Sequence, residues 1–288
     1  MVGDLLGATI SLLLFPLAVG LLGRSLRRFA QGEAVGELRL GLLAALLADA
    51  PELTGAVVGL ATGRSGLSTG VVVGACSLNL VGIIGYGLLR RPAARQRPSL
   101  GPLLAVLLGL VGALACGSSP LERTAALLCL VGGLLWLGRG RGGGWRRPGL
   151  GRAVGGLLVA GGAVVGVATA FSLFLAALGS RAGLGPAASG ALLLAPVSAA
   201  PNLWAGIVLW RLQRGGAAVA ECLDSNSINL LGGLVAPGLL LGLRFAKPPL
   251  LLLGGATILF AAAVRRKDPA LVALASLTAA AALLAPLL

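Results

Sequence analysis

The chain has no histidine, one methionine, one tyrosine and only nine acidic residues among 288. Without histidine, the usual zinc ligand and the usual proton shuttle are both missing. The four cysteines, Cys76, Cys116, Cys129 and Cys222, lie in apolar runs with no C-x-x-C spacing, and they read as small buried hydrophobes. No H-E-x-x-H, no G-x-S-x-G and no pair of catalytic aspartates at a known spacing occurs, so nothing points to an enzyme. No cofactor is called for either. The start of the chain does not look like a signal peptide: no Lys or Arg precedes Arg24, and Asp4 stands where a positive region belongs. Charged residues make up 11% of the chain, too few to coat a soluble domain of this length.

What the chain has in abundance is apolar sequence. Hydrophobic residues are 57% and the mean hydropathy is +0.98, which marks a polytopic membrane protein whose main partner is lipid. A bilayer core asks for ~20 apolar residues per helix. Ten runs meet that need, near 5–23, 38–62, 67–89, 100–117, 121–138, 152–180, 186–210, 216–242, 247–264 and 269–288. The net charge of +14 suggests nucleic acid only until the charges are placed. They fall between the apolar runs, where they orient helices in a membrane, so nucleic acid is not a partner. The Gly/Arg-rich stretch 139–151 is read in the same way, as a charged cytoplasmic linker between two halves.

Loop charges test the ten-run reading. Loops after odd-numbered runs carry Arg24, Arg27, Arg28 and Arg39; Arg90, Arg91, Arg95 and Arg97; Arg139, Arg141, Arg146, Arg147 and Arg152; Arg211 and Arg214; and Arg265, Arg266 and Lys267. Loops after even-numbered runs carry Arg64, Arg123, Arg181, Arg244 and Lys247. Eighteen of the 23 basic residues are thus on one side, which the positive-inside rule assigns to the cytoplasm. Both termini are then expected outside a cell membrane that the chain crosses many times.

Two stretches repeat each other. Residues 48–82 read ADAPELTGAVVGLATGRSGLSTGVVVGACSLNLVG, and residues 198–232 read SAAPNLWAGIVLWRLQRGGAAVAECLDSNSINLLG. They align without a gap at an offset of 150, matching Pro51 with Pro201, Arg64 with Arg214, Ser77 with Ser227 and Asn79 with Asn229. Each has a helix-breaking proline followed by an acid or an amide, Glu52 or Asn202. Five runs per half reverse the direction in which the second copy enters the membrane. The expected fold is therefore an all-α integral membrane protein. It has ten transmembrane helices as two inverted-topology five-helix repeats, 1–138 and 152–288, joined by 139–151.

These motifs resemble the alpha repeats of the sodium/calcium exchanger (cation/calcium antiporter) family, in which G-T-S-L-P-E is followed by G-S-N-I-x-N/D. The first copy keeps Pro51-Glu52 and Asn79 but has Ala75-Cys76 for Ser-Asn. The second keeps Ser225-Asn226 and Asn229 but has Asn202 for Glu. The resemblance implies a secondary antiporter that moves small inorganic cations by alternating access through a site at mid-membrane. It also implies long first and sixth helices that slide across the other eight.

A proline inside a helix removes a backbone donor, which frees the carbonyls of Leu47 and Val197. The candidate ion-binding side chains are Glu52, Asn202, Asn79, Asn229, Ser225 and Ser198. Asp49 joins them, three residues before Glu52 and on about the same helix face. Glu52, Asp49 and Asn202 are the central metal candidates. A charge at mid-bilayer costs about 2.5–3.5 kcal/mol, so Glu52 must face a wet polar interior or be protonated. The alternative for Glu52, Asn79 and Asn229 is hydrogen-bonded glue between helices. Calcium prefers six to eight hard oxygens with carboxylates among them. With Asn202 in place of the second Glu, a monovalent ion or proton is favoured over calcium unless Asp49 or Asp224 restores the charge. The competing reading is a degenerate, non-transporting exchanger homologue that acts as a membrane scaffold.

Overall fold

A computed structural model describes residues 2–32, 37–61, 63–87, 100–138, 150–266 and 268–285, and among these all regular structure is helical. The linker 139–149, Arg90, Arg91, Arg95, Arg97 and Lys267 lie outside the described residues. In chain order the helices are α1 (Val2–Gly32), α2 (Glu37–Ala48), α3 (Ala50–Ala61), α4 (Ser65–Gly85, its last turn a π-turn), α5 (Leu100–Ala115) and α6 (Pro120–Gly138). The second half gives α7 (Leu150–Arg181), α8 (Pro186–Ser198), α9 (Ala200–Arg211), α10 (Gly215–Leu230), α11 (Lys247–Arg266) and α12 (Pro269–Leu284). A π-turn at Leu231–Val235 and a short helix at Ala236–Leu241 prolong α10.

Each of the ten apolar runs is occupied by a helix or by a broken pair. The first helix is longer than its run suggested, because Arg24, Arg27 and Arg28 continue it to Gly32 instead of ending it. By length and composition α4, α6, most of α7, and α11 are able to cross a membrane alone. The pairs α2/α3 and α8/α9 each pass as one span bent by 44° and 41°. Both bends fall where a proline takes the second position of the new helix, Pro51 in α3 and Pro201 in α9. A proline is tolerated there because an N–H at a helix start lacks a partner anyway.

The turns after the bent pairs are alike in detail. The Arg64 N–H donates to Gly59 O and the Arg214 N–H to Leu209 O, so each helix closes on the carbonyl five residues back. This closure puts the preceding residue in the left-handed region. It is Gly63 at φ 70° in one copy and Gln213 at φ 61° in the other, the single non-glycine with positive φ among the described residues. The backbone demand is conserved between the copies even though the side chain is not.

Helices α4 and α10 form the centre, and their inward faces are almost wholly buried. Small residues let the bent pairs approach them closely. A Cβ at Gly41 of α2 would strike Ala217 O, Ala220 and Glu221 N of α10, and a Cβ at Gly70 of α4 would strike the Ala187 carbonyl oxygen of α8. Helices α5 with α6 and α11 with α12 form hairpins around this centre, while α1 and α7 pack along each other on its flank. Leucines such as Leu121, Leu135 and Leu240 point outward, as a lipid-facing surface requires. Without a hydrophobic drive between helices in lipid, close backbone packing is a main source of cohesion. Gly70→Leu is therefore expected to lower the thermal midpoint of the purified protein markedly. Gly156→Leu, which meets open space, is expected to leave the midpoint near wild type. Overpacking of this kind costs about 1–3 kcal/mol.

Candidate functional site

Where the two bends meet the central helices, a knot of polar side chains forms in a chain that is otherwise apolar. Asp49 occupies the break itself, between the end of α2 and the start of α3. The bend does not unwind the chain there, since the Asp49 N–H still donates to Ala45 O and the Leu53 N–H to Asp49 O. Asp49 and Glu52 converge across it: the Asn202 amide donates to Asp49 Oδ1 at 2.8 Å and to Glu52 Oε1 at 2.9 Å. Asn202 sits one position past Pro201 in the first turn of α9, as Glu52 does in α3, so one bent pair reaches across to the other.

Asp49 Oδ1 is the hub. Besides Asn202 it accepts the Ser225 hydroxyl at 2.5 Å and, more weakly, the Asn229 amide at 3.4 Å. Ser225 and Asn229 lie four apart on α10 and so present one face. Ser225 Oγ in turn accepts the Asn79 amide at 2.9 Å and, at 3.5 Å, that of Asn229. The Asn79 amide also reaches Asn226 Oδ1 at 3.2 Å. All of these residues are fully buried. Of the side chains singled out in the sequence, Asp49, Glu52, Asn202, Asn79, Asn229 and Ser225 are thus brought together. Ser198 is buried nearby in sequence, but its hydroxyl donates to Ala195 O in its own helix at 3.3 Å and does not join the knot.

The hydrogen bonds use donors and leave acceptors over. Asp49 Oδ2, Glu52 Oε2, Asn79 Oδ1, Asn202 Oδ1 and Asn229 Oδ1 are buried oxygens with no hydrogen-bond partner. A buried polar atom left unpaired costs about 1–3 kcal/mol, so five in one region are a large debt for a merely structural cluster. Hard oxygens facing a dry interior are the ligands that alkali and alkaline-earth cations take. Among the described residues no group of three or more His, Cys, Asp or Glu is placed to hold a metal ion, so neutral amide and hydroxyl oxygens would have to complete any ligand set.

The repeat offset is written into these contacts. Glu52 meets Asn202, 150 residues away, and Asn226 donates to Cys76 O, also 150 away. A Cβ at Gly82 would meet Leu203, and one at Gly232 would meet Leu53. Two residues escaped the sequence reading as site candidates. Asn226 was quoted only as part of a motif, and Glu221 was not singled out. The signal was present in both, since each is a polar residue inside an apolar run flanked by the motif. Ser227, by contrast, bonds to Leu223 O and Pro102 O and serves the packing of α5 on α10.

Ser225→Ala removes one donor to Asp49 and leaves the Asn79 and Asn229 amides short of an acceptor. It is expected to cost about 1–3 kcal/mol in the thermal stability of the purified protein. Ser198→Ala loses one bond within its own helix and is expected to cost less than about 1 kcal/mol.

Residues 4–137 match the family model described as sodium/calcium exchanger protein. No curated protein matches the chain. Among solved structures, the sodium-calcium exchanger NCX_Mj soaked with 10 mM Na+ and 10 mM Sr2+ is 17% identical with a TM-score of 0.71, and the match covers 97% of this chain and 96% of that one. The same exchanger soaked with 2.5 mM Na+ and 0.1 mM Ca2+ gives 17% identity, a TM-score of 0.69, and coverage of 97% and 98%. At such identity the likeness is one of fold, and it runs nearly end to end.

Proposed function

We propose that the chain, whose residues 4–137 match the sodium/calcium exchanger family model, is a divergent membrane protein of that family and a secondary active cation antiporter. A cation binds between the two bent pairs, held by Asp49, Glu52, Asn202, Asn79, Asn229 and Ser225, and reaches either face by alternating access. The observation that carries this reading is the set of five unpartnered buried oxygens around two carboxylates. An ion entering there gains ligands that at present bond to nothing, while the amide N–H groups keep the carboxylates aimed inward.

The charge of the set bears on its cargo. Asn202 supplies no charge where the family motif has a glutamate, but Asp49 brings a second carboxylate to the same amide. Two carboxylates and several neutral oxygens suit a divalent ion or a pair of monovalent ones. Asp49 in this place supports the reading in which it restores the charge that Asn202 lacks. NCX_Mj was solved in the presence of sodium, strontium and calcium, which makes those ions the first to try.

The alternating mechanism draws on the repeat. Residues at the constant offset meet each other at Glu52–Asn202 and Cys76–Asn226, as residues beside a two-fold axis must. The pairs Gly82–Leu203 and Gly232–Leu53 are related in the same way. These contacts support two inverted five-helix repeats, with each bent pair counted as one span among ten. Because the repeats have opposite orientations, exchanging their conformations would open the site to the opposite face. Helices α1 and α7, paired on the flank, are the pair that moves.

Protein reconstituted in liposomes is expected to exchange cations from a panel of sodium, calcium, manganese and protons. Glu52→Gln and Asp49→Asn are expected to cut that flux at least ~10-fold, which corresponds to about 1.4 kcal/mol. Flux in both variants equal to wild type would overturn the assignment of the site, and no flux of any ion by the wild type would overturn the antiporter reading and favour a scaffold. The predicted orientation has a separate test. In oriented vesicles, Gly143→Cys in the linker is expected to react with a membrane-impermeant maleimide from the cytoplasmic face alone, and labelling from the opposite face refutes the orientation.

A further inference from the structure

We propose that Glu221 is a proton-carrying position, separate from the central cation site and one helical turn away from it, and that it makes the proton a coupling ion of this exchanger. The inference rests on the antiporter reading above and adds the identity of one transported species.

Glu221 lies on α10 four residues before Ser225 and eight before Asn229. Those two bond to Asp49, so the three residues make one row along the face of α10 that looks into the site. One turn of helix is ~5.4 Å along the axis. The row therefore leads from the central knot toward the Arg214 turn, where α10 begins. Glycine at position 41 brings the α2 backbone against Ala220 and the Glu221 N–H, which closes this side of the helix off from lipid.

The Glu221 side chain is fully buried, and neither of its carboxyl oxygens has a hydrogen-bond partner. Beyond its burial, the ionisable groups around it are Asp49 on the α2/α3 break, Asp224 on its own helix and Glu52 on α3, all of them acids. Cys222 beside it on α10 and Cys76 of α4 are the thiols of the same region. An ionised carboxylate in a dry interior, with no donor and with acids around it, is strongly disfavoured.

The ligand class follows from the number of atoms on offer. A metal cation needs several oxygens at once, six to eight for calcium. A single carboxyl with two lone oxygens holds a proton and nothing larger without help. The step is a simple association in which one carboxylate oxygen takes H+ to give the neutral acid, and no other bond changes. When the central site is anionic, repulsion keeps that proton on Glu221. When a cation neutralises Asp49 and Glu52, the repulsion falls and the proton is free to leave toward the Arg214 end. Cation entry and proton exit are coupled through space along one helix face.

Two measurements test this. The first is infrared difference spectroscopy of the purified protein, cation-free against calcium- or sodium-loaded, which reads protonation without any transport. A protonated-carboxyl C=O band that changes on loading in the wild type and is absent in Glu221→Gln is the expected result. A spectrum unchanged by Glu221→Gln overturns the proposal. The second is flux in liposomes with a pH dye inside. Cation-driven proton movement is expected to fall at least ~10-fold in Glu221→Gln, while isotope exchange with the same cation on both sides stays within about twofold of wild type. Glu221→Asp is expected to retain proton movement, which separates chemistry from folding. Wild-type cation flux without proton movement defeats this inference and leaves the antiporter reading standing. Absence of all cation flux defeats the antiporter reading itself.

Discussion

The arrangement turns on one buried carboxylate. Asp49 Oδ1 gathers the Asn202 amide, the Ser225 hydroxyl and the Asn229 amide, and those donors come from the second half of the chain while Asp49 belongs to the first. An acid buried without donors is expensive. Asp49 is stable in this position only while both halves are docked. Binding the two halves and shaping the site are therefore the same event.

This contact explains why the helices around it are irregular. Asp49 reaches the donors because α2 stops at Ala48 and α3 starts at Ala50. The π-turns at Leu80–Gly85 and Leu231–Val235 follow Asn79 and Asn229 at equivalent positions in the two copies. Such turns cost backbone regularity and are frequent at functional sites. Small residues at Gly41 and Gly70 allow the close helix approach that the short side chains Asp, Ser and Asn require.

The knot is also unbalanced in a useful way. Its donors are all spent while five oxygens are left over. A cluster meant only to glue helices would be expected to satisfy both kinds of group. Surplus acceptors in a closed apolar interior are what the proposed cation binding draws on. The substitution of Asn202 for an acid adds to this. A second glutamate facing Glu52 would bring like charges together, whereas an amide offers a donor to both carboxylates and keeps an oxygen in reserve.

Much of this was legible in the sequence. The ten apolar runs, the prolines at 51 and 201, the turns before Arg64 and Arg214 and the 150-residue offset are local patterns, and local patterns survive in one dimension because helix length and proline chemistry depend on neighbours alone. So did the polar residues in apolar runs, since lipid makes each of them costly wherever it points. Tertiary structure alone decided that Asp49 and not Glu52 is the hub and that Ser198 turns back to its own backbone. It alone left Glu221 without a partner beside three other acids. Those outcomes depend on a 44° bend and on which groups a second helix, 150 or more residues away, brings within 3 Å, and no periodicity in the chain records either quantity.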